Sequence, residues 1–392
     1  MTQPRTLERA GAVVLMAAIG IVCFNLLAAQ VLFGVAAILW VIVISRDAWR
    51  PHPPAFAWPL LAYAGLTAAS ALLSAEPARS VVDLKQLLLF LMVPMVLRFL
   101  TGPYAMRTLN VVIAIGAAAA LLGVVEYAVF GYDNLNQRPV GSLTHYMTYS
   151  GVIMLILSAA VARLLYFPQQ IVWPAVAVPA LVVALGATNT RGAWIGAAVA
   201  VVALVAFKRP RLLLFAPVVV ALVVVVAPPS IRSRAVSIVD RNDPSNLDRL
   251  QMIEMGIDMV RDRPWFGVGP DMVGRVYGQY LRPNPVHTYN PHLHNVPVQI
   301  AAERGVPALL AWLAFVATAA WGLVRRLNSA PVAALAASGL GAIVAMLTAG
   351  LFEYNFGDSE FLMLFLALVT LPFAGLLRAD GGTDTTPRAE RP

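Results

Sequence analysis

Five histidines occur in the chain, and three of them fall within nine residues: His287, His292 and His294 in "HTYNPHLHN". An imidazole titrates near neutral pH, so it can move a proton or ligate a metal under ordinary conditions. His292 and His294 are two apart. On a strand they share a face and can chelate; on a helix they diverge by about 200°. The run has no third ligand at fixed spacing unless His287 folds back, and there is no HExxH. Three readings stand: a general base, a metal site, and histidines hydrogen-bonding in a wet loop.

Arg191 opens "RGAWIGAA" and follows "TNT". A planar guanidinium grips phosphate oxygens bidentately, is always charged and is weakly hydrated. The plainer reading is an arginine snorkelling to lipid headgroups. Gly192 and Gly196 have the spacing that lets two helices approach closely. Arg249 lies in "DPSNLDRLQMIEMGIDMVRDRP"; a solvated helix face is the commoner fate of such a residue. Arg138 and His145, in "NQRPVGSLTHYMTY", complete a candidate cationic set.

These groups must be positioned by very oily elements. The 392 residues are 59% hydrophobic and only 12% charged, with a mean hydropathy of +0.75. That is not the composition of a soluble globular domain. A bilayer core about 30 Å thick takes roughly 20 apolar residues per helix. By that rule about twelve spans are expected, near 8–27, 29–45, 55–74, 82–100, 108–130, 146–165, 171–187, 192–207, 211–227, 305–324, 331–351 and 360–377. The fold class expected is all-α integral membrane, with a large helical periplasmic loop between spans nine and ten.

Threading twelve spans from a cytoplasmic N-terminus puts fifteen of the 28 Lys and Arg inside and four in short outer segments. The rest lie in the long loop, which crosses regardless of charge. Both termini then come out cytoplasmic, and four of the five histidines fall outside, with only His52 inside. The net charge of +8 is topology rather than a nucleic-acid signal, because no basic run with interleaved aromatics stands out. Cys23 is the single cysteine and can make no internal disulfide. The first span shows no small-residue cleavage site and reads as an uncleaved anchor.

The chain therefore divides into spans one to nine (1–227), a periplasmic loop with amphipathic helices (228–304), spans ten to twelve (305–378) and a polar, disordered cytoplasmic tail (379–392). Within the loop, Asp243–Pro244 makes a turn, Ser245 is the expected N-cap, and Asp248 stands in capping-box position. Leu250, Ile253, Ile257 and Val260 recur at helical spacing as the expected apolar face, and Pro264 ends the helix. "WFGVGP" reads as a Gly-rich turn, and "DMVGRVYGQYL" as a second short helix.

Four features together resemble the O-antigen ligase and O-antigen polymerase superfamily of polytopic membrane glycosyltransferases. They are "TRGAWIG", "RLQMIEMGIDMVRDRPWFGVGPDMV", "HLHNVPVQIAAERGVPALLAW" and the long loop itself, over roughly residues 185–325. His294, Asn295 and Gly305 match the ligase motif of His, Asn and a Gly eleven residues on; Val298 stands where the family has leucine.

The resemblance implies an activity: transfer of a glycan from undecaprenyl pyrophosphate to lipid A–core oligosaccharide, at the periplasmic face of the bacterial inner membrane. It implies inversion at the anomeric carbon, with no metal or other cofactor. By motif position it makes His294 the essential histidine and Arg191 and Arg249 donor pyrophosphate-binding arginines. Arg138, His145 and His292 remain additional candidates. The same residues serve an O-antigen polymerase or a protein-glycosylating ligase. A transporter is the remote alternative, and the nearly charge-free middles of the spans speak against it.

Overall fold

The computed structural model describes residues 3–46, 52–132 and 137–377; the polar tail read from sequence lies outside them. Among the described residues there are sixteen α-helices and no strand. They are α1 (Gln3–Ile21), α2 (Leu26–Arg46), α3 (Ala57–Leu72), α4 (Pro77–Asp83), α5 (Met92–Phe99), α6 (Pro103–Val129), α7 (Tyr146–Tyr166) and α8 (Val172–Ala187). There follow α9 (Arg191–Lys208), α10 (Ala216–Val226), α11 (Pro229–Val236), α12 (Pro244–Asp262), α13 (Val273–Val276), α14 (Val296–Val324), α15 (Ala333–Ala349) and α16 (Ser359–Ala374). A 3-10 helix over Leu84–Leu91 joins α4 to α5, and another over Pro210–Phe215 leads into α10.

Six helical stretches are long and apolar enough to cross a bilayer: Leu26–Arg46, Pro77–Phe99, Pro103–Val129, Tyr146–Tyr166, Arg191–Lys208 and Val296–Val324. Five more apolar helices run 10–17 residues, among them α3, α8, α15 and α16. The first helix begins with Arg5, Glu8 and Arg9, so its apolar part is shorter than its length. A helix therefore stands at each segment where a span is expected, and six of them meet the length requirement unaided.

The inner helices are α7, α15 and α16. α15 above all, and α7 in part, are rich in Ala, Gly and Ser, which lets backbones approach closely where hydrophobic attraction is absent, while α16 packs Leu and Phe against them. Gly341 meets Ser158 and Leu204, and Gly339 meets the Leu368 carbonyl. Trp312, Phe315, Phe356 and Phe365 pack edge to face between α14 and α16. Around them, α2, α8 and α10 present exposed valines and leucines, the surface a lipid-facing helix needs.

The loop differs from expectation in three ways. First, the N-cap of α12 is Asp243, not Ser245: its side chain accepts from the Asn246 N–H, and Pro244 takes the first helical position. Proline is suited there because its fixed φ is already helical and its missing N–H has no partner to lose. Second, the buried face of α12 is Met252, Met255, Gly256 and Met259, while Leu250 and Ile257 are exposed. The methionines form a small core with Val268, Met272, Tyr277 and Leu293. Third, the segment leading into the expected span is itself helical: α14 is two helical pieces, one from Val296 and one after a break at Gly305, where the span is expected to begin. There φ is 84°, and a side chain would collide with the Trp265 carbonyl.

The "WFGVGP" turn clamps this break. Val306 N–H donates to the Pro264 carbonyl at 2.8 Å, Val268 N–H to Ala302 at 2.8 Å, and Gly269 N–H to Glu303 at 2.9 Å. Gly267 and Gly269 both have positive φ there. The Ser70 hydroxyl, from α3, lies 2.6 Å from the Phe266 carbonyl and 2.8 Å from that of Glu303. The expected second short helix is α13, extended by a 3-10 turn over Tyr277–Gln279.

Candidate active site

His294 holds an unusual backbone position. Its φ is +47°, a left-handed conformation that a histidine enters only when its surroundings enforce it. The enforcement is visible on both sides. Leu293 N–H donates to Gln299 Oε1 at 2.7 Å. Asn295 caps α14 through the Val298 N–H and donates to the Leu351 carbonyl at 3.1 Å, while Val296 N–H donates to Gly350 at 2.6 Å. The start of α14 is thereby stitched to the turn between α15 and α16, which carries Glu353.

Glu353 is the residue this stitching delivers. Its Oε2 lies 2.9 Å from His294 Nδ1, and its Oε1 accepts from Arg249 Nη2 at 2.7 Å. Burial opposes its ionisation, but His294 and Arg249 outweigh burial and hold the carboxyl below its ordinary value. An ionised carboxylate can only accept. His294 Nδ1 therefore donates to Glu353, which leaves Nε2 as the ring atom turned away from the carboxylate.

Arg249 also donates from Nε to the Phe352 carbonyl at 3.0 Å and from Nη1 to Ser245 Oγ at 2.9 Å. It reaches across from α12 to the same turn that holds Glu353.

Arg191 is the first residue of α9 and is 5% exposed. The preceding Asn189 has φ +53°, a conformation asparagine tolerates, and the chain reverses there. Gly192 and Gly196 then let α9 lie against α15. A methyl on Gly196 would stand 2.9 Å from the Ala345 carbonyl, and one on Gly192 3.1 Å from Phe352 Cβ and 3.5 Å from Glu353 Cγ. The close helix approach expected from the GxxxG spacing is what brings Arg191 beside the Glu353 turn. Arg191 donates from Nη1 to the Ser237 carbonyl (2.7 Å) and hydroxyl (2.9 Å), and from Nη2 to Asp243 Oδ1 (3.0 Å).

One cavity of about 490 Å³ collects these groups, at the end of the bundle where α7, α9 and α14 begin. That volume suits a sizeable organic ligand. Its walls include Arg138, Arg191, Arg234, Arg249, His287, His294, Asp243, Asp248 and Glu353. Of the residues singled out from sequence, His294, His287, Arg191, Arg249 and Arg138 line it. Arg138 also lies over the Tyr146 ring, 4.2 Å from its centre.

His145 and His292 do not line the cavity. His145 caps α7, accepting from the Met147 N–H, and stacks on Tyr146. His292 packs between His294 and Tyr354; burial, then the neighbouring His294, pushes it down to about 4. Among the described residues, no group of three or more His, Cys, Asp or Glu is placed to share a metal ion.

Sequence reasoning missed Glu353, Arg234 and Asp243 as cavity residues, read Asp248 as a capping-box acid rather than a cavity residue, and gave His287 no partner. His287 Nδ1 lies 3.0 Å from Asp248 Oδ2, a second histidine–carboxylate pair, with His287 61% exposed. The signal for Glu353 was weak: one acid in a short turn between apolar helices. For Asp243 it was the Asp–Pro pair that starts α12.

Bilayer-length apolar helices, no strand among the described residues, and a cavity lined by arginines, histidines and carboxylates define a class: a helical membrane protein with a polar cavity at one end of its bundle. A family model described as O-antigen ligase matches residues 175–313, which takes in α9, the loop and the first part of α14. The match falls on the stretch whose motifs carry the resemblance, and it fits a member of the O-antigen ligase and polymerase superfamily, whose members are glycosyltransferase-like enzymes. The comparison with curated proteins found no match.

Proposed function

We propose that the chain is a glycan ligase that transfers a glycan from undecaprenyl pyrophosphate to lipid A–core oligosaccharide. The observation that carries this reading is the meeting of His294 and Arg191 in one cavity, although 103 residues separate them in sequence. On this reading twelve helices span the inner membrane with both termini cytoplasmic. The loop of residues 228–304 is periplasmic and covers the cavity, between spans one to nine and spans ten to twelve.

The chemistry follows from the groups present. His294 Nε2 takes the proton of an acceptor hydroxyl as its oxygen attacks the anomeric carbon. The bond from that carbon to the pyrophosphate oxygen breaks on the opposite face, and the electron pair leaves with the phosphate. The product is inverted. Arg191, with other guanidiniums of the cavity, offsets the charge that builds on the leaving group. Fixed cations in a water-poor site stabilise it far more than they would in water. Glu353 holds the His294 tautomer and stabilises the imidazolium that forms. A positioned base of this kind typically contributes about 10²–10⁴-fold.

The test is a reconstituted transfer assay with lipid-linked glycan as donor and lipid A–core as acceptor. Core lipid extended by the donor glycan supports the reading. Glycan elongated on the lipid carrier, with no core lipid extended, would make the enzyme a polymerase instead.

A further inference from the structure

Asp243 bridges two arginines. Its Oδ1 accepts from Arg191 Nη2 at 3.0 Å, and its Oδ2 lies 3.8 Å from Arg234 Nη1. Two oxygens of one carboxylate thus face two guanidiniums, the arrangement two oxygens of one phosphate would adopt. All three side chains are largely buried, at 13% exposed for Asp243, 5% for Arg191 and 14% for Arg234. Arg234 also donates from Nε toward the Asn189 carbonyl at 3.4 Å, so it is anchored to the turn that carries Arg191.

The three carboxylates of the cavity differ in their other ties. Glu353 serves His294 and Arg249 and lies under Gly192. Asp248 faces His287. Apart from the arginines, Asp243 holds the Asn246 N–H at the start of α12. It can leave the arginines and still cap the helix. The electrostatics favour an exchange: burial, then Arg191 and Arg138, push Arg234 down to about 10, with only part of that offset by Asp243. A polyanion relieves this crowding better than one carboxylate does.

We propose that Asp243 occupies the seat of a donor phosphate, and that Arg234 is the second arginine of that seat. The incoming phosphate takes the Arg191–Arg234 pair, and Asp243 competes for it. The same competition lowers the affinity for the departing lipid pyrophosphate and hastens its release. The inference rests on the donor reading above and adds Arg234 and Asp243 to it.

The experiment is calorimetric binding of inorganic pyrophosphate to the full chain in detergent, at fixed ionic strength. Asp243→Asn and Asp243→Ser both keep an N-cap side chain and remove the charge. Each is expected to bind pyrophosphate about tenfold more tightly than the parent, the scale of one charge-assisted hydrogen bond. Arg234→Gln is expected to weaken binding by a similar factor and to cancel the gain when combined with Asp243→Asn. Unchanged or weaker binding in both Asp243 variants, at parental melting temperature, overturns the inference and leaves the donor reading standing. No pyrophosphate binding by any form, the Asp243 variants included, overturns the donor reading with it.

Discussion

Two arginine–carboxylate pairs line the cavity, and they differ in how they are tied to the rest of the fold. Arg249–Glu353 belongs to a wall. Its carboxylate also holds His294, its guanidinium also holds the Phe352 carbonyl and Ser245, and the turn beneath is sewn to α14 by two hydrogen bonds. Arg191–Asp243 joins a helix start to a loop. Its carboxylate comes from the turn before α12, and its guanidinium also holds Ser237, just after α11. A many-tied pair fixes geometry, while a pair closed by a loop residue can open. On the proposed reading, the contrast separates orienting a base from admitting an anion.

His294→Ala should have the largest effect. Transfer should fall by roughly 10²–10⁴-fold, the usual contribution of a positioned base, with the protein still inserted in the membrane. Single-turnover transfer with saturating donor reads this directly. Retention of more than a tenth of the parental rate would remove His294 from the chemistry.

Glu353→Gln tests whether the wall acts through tautomer control. An amide turned with its N–H₂ toward His294 donates to Nδ1, so Nε2 carries the proton and cannot act as a base. We expect kcat to fall about 10²-fold or more, by the logic of an orienting carboxylate, with the donor KM little changed. A rise in KM at unaltered kcat would assign Glu353 to substrate binding instead.

Arg191→Lys probes the other side. Lysine keeps the charge but loses the fork that now serves Ser237 and Asp243 together. The expected loss in kcat/KM is roughly 10–10²-fold, carried mainly by donor KM. Full activity in this variant would count against bidentate phosphate binding.

The comparison also shows what the sequence makes legible. Apolar runs bounded by charges mark where helices form, because a helix satisfies its own backbone in lipid. His294 and Arg191 stand out because their types suit the chemistry and their motifs are compact. Glu353 does not: it meets His294 only because the Gly350 and Leu351 carbonyls receive the start of α14, 59 residues away in sequence. Periodicity shows which residues of α12 share a face but not which face is buried. Leu250 and Ile257 point outward while methionines fill the core. The helical piece before Gly305 hides behind Glu303 and Arg304, which read as polar but pair with each other, and Arg304 reaches Asp83 of α4.

Gly196→Leu carries the smallest predicted effect and tests the wall from a distance. Gly196 touches no cavity group, but a side chain there would press on the Ala345 carbonyl, Ala349 Cβ and Met154 Sδ. Backbone carbonyls of a packed helix cannot yield as a side-chain tip can, so α9 must move away from α15. Overpacking of this kind costs about 1–3 kcal/mol. It should appear as a lower melting temperature in detergent. The displacement also carries Arg191 away from the Glu353 turn, so activity should fall even where the protein remains folded. Separating the two readouts decides what the glycines are for. A lower melting temperature with unchanged transfer would mean that α9 is merely packed there. Loss of both would mean that the fit of α9 against α15 sets the distance between the anion-binding side of the cavity and the base.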